Sequence, residues 1–214
     1  HAPFEAGACN ACHNVHADQS MPASGSDEQC ASCHAPIVAE ASHASHGHRS
    51  LSGGCIACHD PHAAANPKLL PASTRESCGS CHKQAADSTT NASLSHNRVL
   101  KEASCVKCHA VHGSNNTAML RHSQNTVCLE CHATPIVALS GRTIESIANL
   151  AGGGHDPHAA ITQGECSACH SMHGASHAAA VKLVNQQVPL GGFDLANYAL
   201  CFSCHDTALT KSWA

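Results

Sequence analysis

Residues 1–16 read HAPFEAGACNACHNVH. Within them Cys9, Cys12 and His13 form a C-x-x-C-H unit, and a second His follows at position 16. The unit recurs through all 214 residues. Its first cysteines are Cys9, Cys30, Cys55, Cys78, Cys105, Cys128, Cys166 and Cys201. Their partners three residues on are Cys12, Cys33, Cys58, Cys81, Cys108, Cys131, Cys169 and Cys204. Its histidines are His13, His34, His59, His82, His109, His132, His170 and His205. All 16 cysteines are consumed and none is left over. His makes up 21 of the 214 residues, so eight chance placements behind eight pairs have a probability of roughly 10⁻⁸.

The spacing has a chemical meaning. On one helical turn, positions i, i+3 and i+4 share a face. Two thiols so placed reach the two vinyl carbons of one porphyrin, and the following His sets an imidazole nitrogen under its iron. C-x-x-C-H is the attachment signal of c-type haem. The rival uses of paired cysteines fit less well. A disulfide scaffold has no need of a His after each second Cys. Zinc ribbons also lack that obligatory His, and a thioredoxin-like C-x-x-C needs a βαβ context that is missing here. The expected cofactor is haem c, eight copies, covalently attached through all sixteen cysteines with iron on each motif His.

Composition agrees with a prosthetic core. Apolar residues make up 43%, yet Phe, Tyr and Trp together contribute only 2%. Side chains of that size usually fill a core, so flat porphyrin faces are expected to supply the missing apolar mass. Lys plus Arg (11) against Asp plus Glu (15) gives a net charge of −4, which argues against a nucleic-acid surface. No stretch approaches the roughly 18 apolar residues of a transmembrane segment.

Thirteen histidines lie outside the motifs, enough to close the opposite side of eight irons. Met is an alternative ligand, but the chain has only three. Four motifs extend to C-x-x-C-H-x-x-H, ending at His16, His62, His112 and His173. Upstream of each extended motif stands another His: His1, His46, His96 and His158. These eight are the candidate distal ligands. His48 and His155 compete with His46 and His158, while His43, His122 and His177 read better as surface or propionate-bonding histidines.

The pattern defines a fourfold repeat. Each unit holds one extended and one plain motif, with approximate bounds 1–45, 46–95, 96–154 and 155–214. The repeat, written H-x-P-x-x-x-G-x-C-x-x-C-H-x-x-H for HAPFEAGACNACHNVH, resembles the doubled-CXXCH family of multihaem cytochromes c over essentially the whole chain. The longer spacers 133–165 and 171–200 depart from it, as does the missing upstream Pro in units two and three. The resemblance implies bis-His haems in one continuous wire. Linkers of Ala, Ser, Asn and Gly with little period-2 alternation predict few strands, with short helices carrying the C-x-x-C-H turns. The expected architecture is a single elongated octahaem domain over 1–214, mostly irregular with short α-helices, a haem-dominated core and little or no sheet.

Between the motifs, 136–150 (IVALSGRTIESIANL) carries apolar residues at helical spacing and predicts a helix stopped by Gly152-Gly153-Gly154. Segment 181–202 with Trp213 concentrates large apolar residues, which leans toward a subunit or partner contact.

An iron with imidazole on both sides has no vacant position, so the expected function is electron transfer along eight bis-His haems in anaerobic or extracellular respiration, not catalysis. The setting is a polymerising extracellular cytochrome filament or a periplasmic, outer-membrane conduit subunit. The rival is a multihaem oxidoreductase of the nitrite, hydroxylamine or tetrathionate type with one open haem. Expected partners are other redox proteins (multihaem cytochromes, quinol-linked donors, an outer-membrane porin conduit) or further copies of the chain. The expected location is extracytoplasmic, extracellular or periplasmic, after removal of a signal peptide.

Overall fold

In six of the C-x-x-C-H units the same short turn forms. The motif His N–H donates to the carbonyl of the first Cys, at 2.8 Å for His13 to Cys9, 3.0 Å for His59 to Cys55 and 2.9 Å for His82 to Cys78. His109 to Cys105 (3.1 Å), His170 to Cys166 (3.0 Å) and His205 to Cys201 (3.0 Å) repeat it. This is the i to i+4 bond of one helical turn. It places both thiols and the imidazole on one face.

The computed structural model describes residues 1–14, 27–48, 53–91, 105–137, 141–152, 157–174, 182 and 194–208. His16, His96, His155 and His177, and most of the apolar segment 181–202 with Trp213, lie outside the described residues. Two compact units are present: His1–Lys83 with Ala103–Ser123, and Gln84–Glu102 with Gln124–Ala214.

In the first unit, α1 (Ala2–Glu5) precedes a 3-10 turn at Cys9–Ala11. Helix α2 (Asp27–His43), the longest among the described residues, carries the second motif, with Cys30 and Cys33, and breaks at His34, where φ is −109° and ψ is 31°. Pro36 explains the break: it lacks an N–H, and its ring crowds the carbonyl four residues earlier. Strand β1 (His46–Gly47) pairs antiparallel with β2 (Gly113–Ser114), in the register His46 with Ser114 and Gly47 with Gly113. Helix α2 packs against β2 so closely that a Cβ on Gly113 would stand 2.7 Å from Ala44 Cβ and 2.9 Å from Glu40 O. Helix α3 (Thr74–Gly79) starts with a capping box: Glu76 N–H donates to Ser73 Oγ at 3.3 Å, and Ser73 N–H to Glu76 Oε2 at 3.0 Å. It delivers Cys78, and just after the motif begins α4 (Lys83–Asn91), which from Gln84 onward belongs to the second unit.

In the second unit, α5 (Gln124–His132) holds the sixth motif, with Cys128 and Cys131. Where a helix over 136–150 was expected, β3 (Ile136–Val137) and β4 (Thr143–Ile144) pair antiparallel, and only α6 (Ile147–Gly152) is helical. Gly141, at φ 78°, turns the chain before β4, and β-branched residues fill both strands. The helix ends on the first of the three glycines, as expected. Ser146 starts it: its Oγ donates to Ala133 O at 2.7 Å and accepts from Asn149 N–H at 3.2 Å. Helices α7 (Ala159–Thr162) and α8 (Cys166–Cys169) follow, and α9 (Ala199–Phe202) carries Cys201.

The architecture is therefore mostly irregular, with short helices and, among the described residues, two minimal ribbons. Among the described residues no apolar side chain is buried; Ser114 (7% exposed) and Ser146 (1%) are the buried polar residues. Phe4, Ile37, Ile56 and Val137 stand open. Chains of this length normally bury most of their apolar surface, so the described residues form no apolar side-chain core of their own.

Candidate functional site

Five histidine–histidine ring pairs are seen among the described residues, each joining one motif His to one His outside the motifs. His34 faces His1 at a centroid distance of 6.1 Å, and His13 faces His62 at 5.8 Å. His82 faces His48 at 5.9 Å, His59 faces His112 at 6.3 Å, and His205 faces His158 at 5.8 Å. Metal–imidazole bonds of about 2 Å put two imidazoles bound to opposite sides of one ion with centres roughly 6 Å apart. The spacings fit. Among the described residues no group of three or more His, Cys, Asp or Glu could hold a bare metal ion. Two ligands per site suit a metal whose other four come from a porphyrin.

The cysteines fit attachment and not ligation or cross-linking. None of the sixteen is in a disulfide. The first Cys of six motifs is half-buried: Cys30, Cys55, Cys78, Cys105, Cys128 and Cys166; Cys9 and Cys201, in the first and last motifs, are exposed. The second Cys stands mostly open. Cys12, Cys33, Cys58, Cys81, Cys131 and Cys204 are exposed, while Cys108 and Cys169 are half-buried. Structural thiols are usually among the most buried side chains, so an open thiol three residues from a half-buried one suits a group that would cover it once attached.

The ring pairs follow a register. The His before an extended motif faces the plain motif of its own repeat, as with His1 and His34, His48 and His82, His158 and His205. The His behind an extended motif faces the extended motif of the preceding repeat, as with His62 and His13, His112 and His59. His48, not His46, stands opposite His82; His46 sits exposed in β1 opposite Ser114. His173 lies in the turn after α8, and His43 and His122 are in none of the five pairs.

Protonation at two motif imidazoles is set by the backbone. His59 Nδ1–H donates to Lys68 O at 2.7 Å, and His109 Nδ1–H to Ala118 O at 2.9 Å. A carbonyl only accepts, so Nδ1 carries a proton, and in the neutral ring Nε2 is then the nitrogen that can ligate. His158 differs: its Nδ1 accepts from Ala160 N–H at 3.3 Å, and its Nε2 lies 3.5 Å from His205 Nε2. Its proton must move to Nδ1 before Nε2 can ligate. Burial, then the neighbouring His82, lowers the pKa of His48; burial chiefly lowers that of His112, against the pull of Glu40. Both shifts favour the neutral, ligating form.

Thiols of consecutive motifs touch. Burial pushes the Cys55 thiol up to about 12, aided by its hydrogen bonds with Asp27 (Sγ to Oδ1, 3.3 Å) and Cys30. Cys78 donates to Cys105, which holds the Cys105 thiol down at about 6 and drives the Cys78 thiol up. Attachment points of adjacent motifs are thus neighbours in space. The carbonyls of Lys68 and Ala118 are functional groups that spacing alone did not reveal; their one sequence signal is an Asn-x-x-x-Leu stretch after two extended motifs, at Asn66–Leu70 and Asn116–Leu120.

Paired thiols, an imidazole oriented by a backbone carbonyl and a second ring across from it define a multihaem c-type cytochrome, a class whose members commonly carry electrons and work outside the cytoplasm. The doubled CXXCH motif model matches residues 1–39, 48–87, 96–136 and 158–210. The chain belongs to the doubled-CXXCH family, and its C-x-x-C-H units attach haem c covalently. Among proteins of curated function none matches the sequence. No helix among the described residues is long and apolar enough to cross a membrane.

Proposed function

We propose that the chain carries eight haems, one per motif, each closed by a second imidazole, and that it moves electrons without converting a substrate. The observation that carries this is the repeated facing of one motif His by one His outside the motifs. The distal set is His1, His16, His48, His62, His96, His112, His158 and His173, with His48 in the role that spacing gave to His46. All four family-matched segments begin on a His of this set: His1, His48, His96 and His158.

When bound, haem c supplies a ferric–ferrous couple. The residues of the chain do the rest. Cysteines anchor, and paired imidazoles saturate the metal and refuse a further ligand. The contacts of Cys30 with Cys55 and of Cys78 with Cys105 bring successive attachment points together. Two imidazoles, without Met, favour low potentials. The setting we infer is extracytoplasmic respiration, with electrons passed to other redox proteins in a conduit or between copies in a filament.

Absorption and electron paramagnetic resonance spectra of the purified holoprotein test the proposal. Eight haems per chain, all low-spin ferric and inert to cyanide, are expected. A high-spin fraction that binds cyanide would move the protein to the multihaem oxidoreductases. Electron microscopy then separates discrete particles from fibres.

A further inference from the structure

Four residues other than glycine have positive φ among the described residues: Lys68 (62°), Leu69 (58°), Ala118 (54°) and Met119 (54°). They form two consecutive left-handed pairs at equivalent places in two repeats. None is Gly, Asn or Asp, the types that visit this region at least cost. Strain of this kind persists only where surroundings enforce it, and it gathers at functional sites.

The same contacts surround both pairs. In each, the first residue's carbonyl takes the proton of a motif imidazole: Lys68 O from His59 Nδ1–H at 2.7 Å, Ala118 O from His109 Nδ1–H at 2.9 Å. The second residue's carbonyl takes the next backbone N–H, with Asp60 N to Leu69 O and Ala110 N to Met119 O both at 2.8 Å. In an extended chain successive carbonyls point to opposite sides. Aiming two in succession at one neighbour requires helical dihedrals, and here they are left-handed. Pro67 presets φ just ahead of the first pair.

We propose that these left-handed pairs are straps that position the axial imidazoles of His59 and His109 and tune the metal they bind. The assignment rests on the ligation proposed above. A backbone carbonyl on Nδ1–H fixes the tautomer, stops ring rotation and makes the imidazole more basic. A more basic ligand favours ferric over ferrous iron, so each strapped haem is held at a lower potential than without its strap. Lys68 and Ala118 act through the histidines and are positioning residues.

The test compares Lys68→Pro and Ala118→Pro, whose φ near −65° is incompatible with the observed backbone, with Lys68→Gly and Ala118→Gly, which keep it. Each holoprotein is titrated spectroelectrochemically and examined by electron paramagnetic resonance. Each proline variant is expected to raise one potential, weakening that haem's ferric preference by about tenfold, and to shift the anisotropy of one low-spin signal. The glycine variants are expected to match the parent. Folded proline variants with unchanged potentials and signals overturn the proposal. Should the prolines prevent folding, Lys68→Val decides: a β-branched residue resists φ near 60°, so a smaller upward shift supports the strap and no shift overturns it. Absence of bis-imidazole signals in the parent would instead overturn the ligation, a distinct failure.

Discussion

Replacing His48 with Ala separates two histidines that are two residues apart. The His48 ring stands 5.9 Å from that of His82, while His46 is locked in β1 opposite Ser114. A strand-like rise of about 3.3 Å per residue sets the two Cα atoms roughly 6 to 7 Å apart. His46 therefore cannot reach the vacated place without tearing β1 from β2. The expected loss is one axial imidazole on one of eight haems, so one eighth of the ferric iron becomes high-spin. Electron paramagnetic resonance integrates that fraction against the remaining low-spin signal. Cyanide should bind the same one eighth, and added imidazole should abolish it. His46→Ala should leave every haem low-spin. A high-spin fraction in His46→Ala, with none in His48→Ala, would refute the reasoning.

Other expectations follow from single features. The His158 and His205 rings meet at 82°, whereas the other four pairs lie between 18° and 38°. The eighth haem should therefore give a highly anisotropic low-spin signal, and His205→Ala should remove that component alone. Ser146→Ala strands Ala133 O and uncaps α6, at a cost of about 1 to 3 kcal/mol in denaturant unfolding of the holoprotein. Gly164→Ala places a Cβ 2.6 Å from Asn125 Cβ at φ +72°, and should destabilise by about 1 to 3 kcal/mol; an unchanged midpoint would show that the loop gives way freely.

The attachment motifs were legible in sequence because their geometry is local: one turn brings Cys, Cys and His together whatever surrounds them. Short helices and scant sheet followed from linkers of Ala, Ser, Asn and Gly. Ligand pairing was not legible. His62 faces His13 and His112 faces His59 across repeat boundaries, and no spacing rule says which of two distant imidazoles meets a given iron. His46 and His48 are equivalent to a spacing argument; the register of β1 on β2 distinguishes them. The helix expected over 136–150 failed at Gly141, where helical periodicity also fitted two short strands and a turn. The straps were hidden for a deeper reason, since Lys, Leu, Ala and Met do not advertise left-handed backbone.

The pairing of His13 with His62, and of His59 with His112, bears on how the protein is made. A chain threaded outward from its N-terminus presents Cys9 and Cys12 for haem insertion before the residue that completes that centre has emerged. On the ligation proposed above, the centres at His34, His82 and His205 would meet a distal imidazole already synthesised, while those at His13 and His59 would wait for His62 and His112 of the following repeat. A chain released between His59 and His112 would then lack the imidazole facing His59, which carbon monoxide binding at that one centre would report.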